Sequence, residues 1–393
     1  MTDALKPDDQ LVTWMTAIRR AIHQHPELSL QEFRTAEFVA GKLDELAISH
    51  KKGVAGTGIV AFIGERKHGT KTVALRADMD ALPITEKTGL PFSSQNPGVM
   101  HACGHDGHMA MLLGAAALLQ RQSQLPGQIV LLFQPAEEDN GGAEKMIAAG
   151  VLAGVDAIFG GHIERHYAVG EISVQPGLIC AFTDEFTIII RGPGGHAAKP
   201  HESIDCIVAA SFLVASIQTL VSRETNPVYP AVVTVGKING GTASNVIADQ
   251  VVLEGTIRTT HPEAREKIFT SLRRMVVGVQ DLYHAETQLT LTAGYPPVVN
   301  DPVSSEVARE AARQTVGESG VKSQPYPSLG GEDFSFYLKH VPGCFVRFGA
   351  RRDDLPNANA HSSTFDFDER VLPIGAEFLA RCALLYLQQA AQR

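Results

Sequence analysis

Several features that mark special classes of protein are missing from this chain. Its Lys and Arg residues form no basic run and its formal net charge is −9, so nucleic acid is not an expected partner. The longest mostly apolar stretch, at about 109–119, is too short to cross a bilayer. The first ten residues lack the basic start and apolar core of a signal peptide. We therefore expect a cytoplasmic protein with no membrane partner.

Cysteine is also scarce, with five residues in a chain of 393. An odd number of widely spaced cysteines fits free thiols in a reducing compartment. Hydrophobic residues make up 44% and charged residues 20%, as in ordinary globular proteins. The length exceeds that of a usual single core, so we expect two domains.

The first and last parts of the chain alternate between predicted strands and helices. Residues 11–24 have helical spacing, and a second helix is predicted to start at Ser29, with Glu32 completing a capping box. Further predicted elements are strands at 57–63, 72–76, 128–133, 157–160 and 344–348, and helices at 108–122, 142–149, 303–315 and 369–389. This order predicts an α/β fold: a mostly parallel central sheet with helices on both faces.

The pattern changes between about 184 and 294. A strand at 185–191, a helix at 203–221, strands at 231–238 and 246–259, a helix at 262–283 and a strand at 287–292 give the order β-α-β-β-α-β. This is the order of a ferredoxin-like α+β unit. We predict one domain formed by residues 1–183 and 298–393, and a second, inserted domain at 184–297.

Four short segments carry residues suited to metal chemistry. They are Cys103-Gly-His105-Asp106, the pair Glu137-Glu138, His162 and His361. One thiolate, three imidazoles and two carboxylates suit transition-metal ions with a bound water. The segments follow successive predicted strands, and α/β folds place their ligand sites at the carboxyl ends of strands.

Each segment taken alone has a simpler interpretation. Adjacent carboxylates are more often a solvated pair, a lone histidine is more often a surface or core residue, and Cys103 could lie inert in a helix-capping loop. Their shared position at strand ends favours a metal site. In such a site one carboxylate can bind metal while its neighbour faces the water. Asp80, near the end of another strand, could orient a metal-bound histidine, and His101, Asp106 and His108 suit similar supporting roles.

Longer motifs around these residues resemble the di-metal aminoacylase and carboxypeptidase family. The motifs are Leu75-Arg-Ala-Asp-Met-Asp80-Ala-Leu-Pro-Ile, Met100-His-Ala-Cys-Gly-His-Asp-Gly-His108, Phe133-Gln-Pro-Ala-Glu-Glu138, Gly192-Pro-Gly-Gly-His196 and Leu329-Gly-Gly-Glu-Asp-Phe334. They are most similar to its amidohydrolase branch, which includes hippurate hydrolases and indoleacetyl-amino-acid hydrolases. The similarity extends from about Ile22 to Asp368.

The resemblance implies a set of roles in the predicted catalytic domain. It implies two divalent ions per subunit, with zinc, manganese, nickel and cobalt all compatible with mixed ligands. The implied ligands are Cys103, His105, Glu138, His162 and His361. Glu137 would be general base and then general acid, with Asp80 supporting the metal site.

The resemblance also assigns roles in the inserted domain, as a lid through which such enzymes commonly dimerise. His196 matches a lid histidine that stabilises the oxyanion, and Asn245 matches an asparagine that helps to hold the substrate. Arg258 is the candidate for pairing a substrate carboxylate, because a guanidinium binds one in bidentate fashion. On sequence alone, His196 could be a glycine-loop histidine and Arg258 a surface residue.

The predicted function is metal-dependent hydrolysis of N-acyl amino acids to a carboxylic acid and a free amino acid. A dipeptidase or carboxypeptidase using the same site is the main alternative, and a non-catalytic metal- or ligand-binding protein is a remote one. The chain departs from the branch at Ser244 and Ala248, and in the segments after His162 and His361, where usual prolines are absent. These departures affect the expected pocket, and hence the substrate, rather than the chemistry.

Overall fold

The computed structural model describes residues 4–139, 141–355 and 358–391. The chain divides into two compact units. The first unit comprises Met1–Gly177, Val298–Pro325 and Asp333–Arg393, and the second comprises Leu178–Pro297 and Tyr326–Glu332. The second unit thus begins a few residues before the predicted boundary at 184 and includes a short later segment.

The regular elements alternate along the described chain. Its α-helices are α1 (Asp9–His23), α2 (Phe33–Glu45), α3 (His105–Gln120), α4 (Gly142–Ala148), α5 (Cys206–Thr219), α6 (Pro262–Tyr283), α7 (Pro302–Val316), α8 (Phe334–Leu338) and α9 (Val371–Ala391). Its strands are β1 (Ser49–Val54), β2 (Gly58–Ile63), β3 (Thr72–Asp78), β4 (Gln128–Gln134), β5 (Ala157–Glu164), β6 (Ile172–Ser173), β7 (Gly177–Leu178), β8 (Phe182–Arg191), β9 (Gly195–His196), β10 (Ala231–Gly240), β11 (Val246–Ile247), β12 (Gln250–Thr259), β13 (Glu286–Ala293), β14 (Val299–Asn300), β15 (Val321–Lys322) and β16 (Gly343–Gly349).

The first unit is built on a sheet with strand order β1-β2-β4-β3-β5-β16-β6-β15. The four central strands β4, β3, β5 and β16 run parallel to one another. At one edge, β2 pairs antiparallel with β4 and β1 pairs antiparallel with β2. Every residue of β3 and β16 is buried, as expected for strands that are covered on both faces. Helix α3 is buried almost along its whole length, and α1, α3 and α9 contribute to the main core. The predicted α/β class is confirmed.

The second unit contains an antiparallel sheet with strand order β10-β12-β8-β13. Helices α5 and α6 bury residues such as Leu213, Ile217 and Leu272 in a separate core with the sheet. The order β-α-β-β-α-β and this strand arrangement are those of a ferredoxin-like fold. The predicted α+β unit therefore has its expected elements, and α6 has the predicted bounds.

Two local predictions were wrong. Helix α2 begins at Phe33 rather than Ser29, and Glu32 makes no capping hydrogen bond. Strand β5 continues to Glu164, so His162 lies within the strand rather than after it. Two helical segments, Cys206–Glu224 and Val371–Gln389, are long and apolar enough to cross a membrane, a test that core helices of globular proteins also pass.

Candidate metal centre

The proposed ligands meet at the carboxyl ends of the central parallel strands. Asp78 ends β3, Glu137 and Glu138 follow β4, and His162 lies near the end of β5. His361 is in the loop after β16, and Cys103 and His105 lie at the start of α3. Parallel strands bring these positions to one edge of the sheet, which is why residues far apart in sequence converge here.

Cys103, His105 and His162 form one group of possible ligands. The Cys103 Sγ lies 3.2 Å from His162 Nε2, and the ligand atoms of all three residues lie within 4.8 Å of one another. His162 Nδ1 donates to the Ile163 carbonyl at 2.6 Å, and His105 Nδ1 donates to the Asp80 carbonyl at 2.9 Å. These hydrogen bonds fix the tautomers that leave both Nε2 atoms available as metal ligands.

Cys103 also belongs to a second group with Glu138 and His361, again within 4.8 Å. Glu138 Oε1 lies 3.3 Å from His361 Nε2 and 3.8 Å from His105 Nε2. The shared Cys103 sulfur therefore lies between two sets of possible donors, an arrangement that suits a centre for two ions. His361 is the exposed member, with 54% of its side chain accessible.

Glu137 faces the same cluster from the adjacent backbone position. Its Oε2 lies 3.9 Å from His105 Nε2, and its Oε1 accepts a hydrogen bond of 3.4 Å from the Asp333 amide. Ala136, just before it, has a φ of 56°, a left-handed conformation that is uncommon for alanine. This backbone turn directs the two neighbouring carboxylates into one site from successive positions.

Asp80 connects these groups. Its two carboxylate oxygens accept hydrogen bonds of 3.0 Å from the Glu137 and Glu138 amides, and Ser29 donates to it at 2.7 Å. Its carbonyl orients His105, as described above. Burial alone would raise the pKa of Asp80, but hydrogen bonds and the charge of His105 hold it below the ordinary value. Asp80 is thus an ionised anchor beneath both carboxylates.

The charges of the cluster favour a bound cation. Burial by itself lowers the pKa of His105, but the neighbouring carboxylates, Asp78 first, raise it to about 10. Burial raises the pKa of Cys103 well above its ordinary value, and Glu138 adds to that effect. Burial also holds the pKa of His162 well below its usual range. In the metal-free chain, a proton on His105 therefore balances part of the negative charge of the neighbouring carboxylates. A bound divalent ion would neutralise the same charge.

One buried atom shows that the residues fit a metal ion. His105 Nε2 is inaccessible and has no hydrogen-bond partner among the described residues. A buried polar atom without a partner is costly, and coordination to an ion removes that cost. Mixed sulfur, nitrogen and oxygen donors are those that zinc and its neighbours in the periodic table bind.

Of the three other polar residues near Cys103, Asp106 and His108 have hydrogen-bond partners. Asp106 bonds to Arg19 and His23, each at 2.8 Å. His108 Nδ1 donates to Asp78 at 2.6 Å while its Nε2 accepts from the Ile163 amide at 2.8 Å. His101 is buried, and neither ring nitrogen has a hydrogen-bond partner in the described structure. His108 therefore links the Asp78 carboxylate to the backbone of β5.

The remaining predicted residues lie in the second unit. His196 is exposed on β9, which pairs with β11, and its Nδ1 accepts from the Ala198 amide at 3.0 Å. Asn245 is also exposed, and its carbonyl accepts from the Ala197 amide at 3.1 Å. Arg258 is half-buried on β12, with its guanidinium near the carbonyls of Asp184 and Ile257.

Three supporting residues were missed by the sequence prediction. Ser29 bonds to Asp80, and Glu32 accepts hydrogen bonds from the Thr57 hydroxyl and the Ala136 amide. Asp333 binds Arg76 at 2.8 Å and Gln134 at 2.7 Å, behind Glu137. The sequence signal for Ser29 and Glu32 was the spacing that we interpreted as a capping box. The signal for Asp333 was the motif that ends at Phe334.

Comparisons with known proteins agree with this geometry. Residues 74–385 match the sequence profile of peptidase family M20/M25/M40. The chain is 43% identical to an N-acetyl-L-cysteine deacetylase of Bacillus subtilis, over 94% of this chain and 87% of that protein. It is 42% identical to thermostable carboxypeptidase 1 of Saccharolobus solfataricus, over 96% of each chain. A crystal structure of a Bacillus subtilis protein, described as a dinuclear metal-binding peptidase, has 37% identity and a TM-score of 0.82, covering 97% of this chain and 99% of that one.

Proposed function

This chain belongs to peptidase family M20/M25/M40 and is a hydrolase of amide bonds, and we propose that it cleaves N-acyl amino acids. The products would be a carboxylic acid and a free amino acid. The observation that carries the proposal is the position of Glu137. Its carboxylate lies 3.9 Å from His105 Nε2, while its neighbour Glu138 belongs to the same ligand cluster.

We infer that two divalent ions bind this cluster. Cys103, His105 and His162 would hold one, and Cys103, Glu138 and His361 the other. Bound ions would act as Lewis acids and lower the pKa of a water towards roughly 7. Zinc, manganese, nickel and cobalt all suit these donors.

The chain's own residues would then move protons and bind the substrate. Glu137 would take a proton from the attacking water and later deliver it to the departing amine. His196 would donate a hydrogen bond to the oxyanion. Asn245 would help to hold the substrate, and Arg258 would pair its carboxylate. Family resemblance supports the roles of His196 and Asn245, and the chemistry of the guanidinium supports that of Arg258.

A carboxypeptidase or dipeptidase activity is the second candidate, because a carboxypeptidase is among the similar proteins. A substrate panel separates the two. Metal-free protein would be reloaded with each of the four metals and assayed on N-acetyl, N-benzoyl and indoleacetyl amino acids and on simple dipeptides. We expect kcat/KM for the best N-acyl amino acid to exceed that for any dipeptide at least roughly tenfold, about 1.4 kcal/mol in transition-state binding.

If kcat/KM is higher for a dipeptide than for every N-acyl amino acid, the peptidase activity replaces this proposal. If none of these substrates is hydrolysed in a metal-dependent way, both activities are contradicted. The remaining alternative is then a non-catalytic metal- or ligand-binding protein. Location in the cytoplasm and the identity of the metal remain predictions.

We propose that the first unit is the catalytic domain and the second a lid through which the chain dimerises. Two features support dimerisation: β10 and β13 are edge strands of their sheet, and α5 exposes Ile207, Val208 and Phe212. Exposed edges and apolar patches favour association. By light scattering, the wild type should have the mass of a dimer, and Phe212→Asp should show a larger fraction of monomer at the same concentration. A monomeric wild type would contradict the proposal.

A further inference from the structure

The loop that carries His361 is tied to the segment after His162 by one side chain. Arg165, just beyond the end of β5, donates from Nη1 to the Ala358 carbonyl and from Nη2 to the carbonyls of Arg352 and Leu355. The guanidinium thus contacts three backbone carbonyls of one loop. A planar group with five fixed donors suits this arrangement in a way that an ammonium does not.

His361 itself needs external support. It is the most exposed of the proposed ligands, and its φ of 63° places it in the left-handed region. A non-glycine residue in this region is strained and persists only where surrounding contacts impose the conformation. One such contact is the hydrogen bond of 2.8 Å from the His361 amide to the Ala102 carbonyl, next to Cys103.

The segment that contains Arg165 is also joined to the chain after β16 by backbone hydrogen bonds, from the Ala350 amide to the Glu164 carbonyl and from the Arg351 amide to the Tyr167 carbonyl. Residues 163–170 include no proline, so ring constraints do not limit the backbone there. Arg165 is only partly exposed, and burial lowers the pKa of its guanidinium without removing the charge. A charged donor held against carbonyls makes stronger hydrogen bonds than a neutral one.

We propose that Arg165 is a positioning residue that holds the His361 loop in its metal-binding conformation. It would act on the ion bound by Cys103, Glu138 and His361, and not on the ion bound by Cys103, His105 and His162. The inference rests on the ligand set proposed above. The proposed role of Arg165 does not include direct contact with the substrate or with an ion.

The test measures metal affinity rather than turnover. Metal-free wild type, Arg165→Ala, Arg165→Lys and His361→Ala would be titrated with Zn²⁺ and with Mn²⁺ by calorimetry. His361→Ala identifies the binding step that depends on His361. Arg351→Ala is the matched control, because this arginine is in the same loop and its side chain forms an exposed pair with Asp353 at 3.0 Å.

We expect Arg165→Ala to weaken the step that His361→Ala removes by about 10–100-fold, with a change of under about threefold in the other step. Arg165→Lys should fall between wild type and alanine, and Arg351→Ala should match wild type. If the alanine variant does not fold, the selective loss must appear in the lysine variant. Equal weakening of both steps, or of neither, would overturn the inference. A wild type that binds fewer than two ions would instead refute the ligand set itself.

Discussion

In the first unit the candidate residues are mostly buried and fixed by hydrogen bonds, whereas in the second unit His196 and Asn245 lie at the surface. His105 is inaccessible and bonded to Asp80, and Glu137 is only 6% exposed. His361, a proposed ligand with 54% of its side chain accessible, is the exception in the first unit. A site that handles protons and charge needs donors that are already oriented, because reorganisation during reaction raises the barrier.

The surface residues of the second unit suit a different task. Groups that contact a substrate only when it is present can remain solvated until then, since binding supplies their partners. The comparison predicts that changes in the first unit alter metal binding or the chemical step. Changes in the second unit should alter turnover while the metal affinity stays the same.

The largest expected effect is that of Glu137→Gln. The amide keeps the shape of the side chain but cannot accept a proton, so kcat should fall by about 10⁴-fold. Both ions should still bind, because Glu137 is not in the proposed ligand set. Steady-state kinetics on an N-acyl amino acid and metal analysis of the same sample would measure the two effects.

Glu138→Gln is the matched neighbour of this variant. It should lose affinity for an ion as well as activity, since its carboxylate is a proposed ligand. If Glu137→Gln stays active, or if it loses metal as Glu138→Gln does, the assignment of the two carboxylates is wrong.

The second effect tests the surface residue His196. Removal of one oxyanion donor should lower kcat by roughly 10²–10³-fold, so we expect this loss for His196→Ala. Calorimetric titration with Zn²⁺ should give wild-type affinities. His201→Ala, which changes another exposed histidine of the same unit, should leave both quantities unchanged. Loss of metal affinity in His196→Ala would contradict the prediction that changes in the second unit leave metal affinity unchanged.

The third effect tests the anchor within the first unit. In Asp80→Asn the side chain loses its charge and one acceptor, so the Glu137 and Glu138 amides no longer share an ionised partner. Residues behind metal ligands typically contribute 10–100-fold to affinity, and we expect a loss of about that size by chelator competition. Asp44→Asn, at an exposed position of α2, is the control. Unchanged affinity in Asp80→Asn would mean that the loop after β4 keeps its conformation without this anchor.

Much of this arrangement could be predicted because it depends on repeating patterns. The order of strands and helices defines a parallel sheet in the first unit and a β-α-β-β-α-β unit in the second. Ligand positions follow from the rule that parallel strands end at the same edge. Helix α6 was predicted with its bounds because Pro262 begins it and apolar positions recur at helical spacing up to Tyr283.

The missed features are long-range hydrogen bonds that no local pattern shows. Ser29 and Glu32 have the spacing of a capping box, yet Glu32 binds the amide of Ala136, 104 residues later. Arg165 is an ordinary charged residue in the sequence, and only the folded loop shows its three carbonyl partners. Such contacts depend on tertiary packing, which overrides local propensity.

The smallest expected effect is one of stability and comes from Glu86 in the first unit. Burial alone would raise the pKa of this carboxyl group, but hydrogen bonds from His23, Thr88 and the Ser94 amide lower it to about 2. A folded-state pKa below the unfolded value stabilises the protein above about pH 5, and this contribution is lost as the pH falls towards 2. Glu86→Gln should therefore lower the free energy of unfolding at pH 7 by about 1–2 kcal/mol, after allowance for solvent screening.

Urea unfolding of the metal-free protein, followed by fluorescence, would measure this difference. The chain has a single tryptophan, Trp14 in α1, so the signal reports on the first unit. The gap between wild type and Glu86→Gln should close as the pH is lowered towards 2, because both side chains are then uncharged. Glu224→Gln is the matched change in the second unit, where hydrogen bonds from Ser271 and Arg274 lower the pKa of Glu224. If Glu224→Gln shifts the Trp14 transition as much as Glu86→Gln does, the two units unfold together, and the comparison between them holds for their sites but not for their stability.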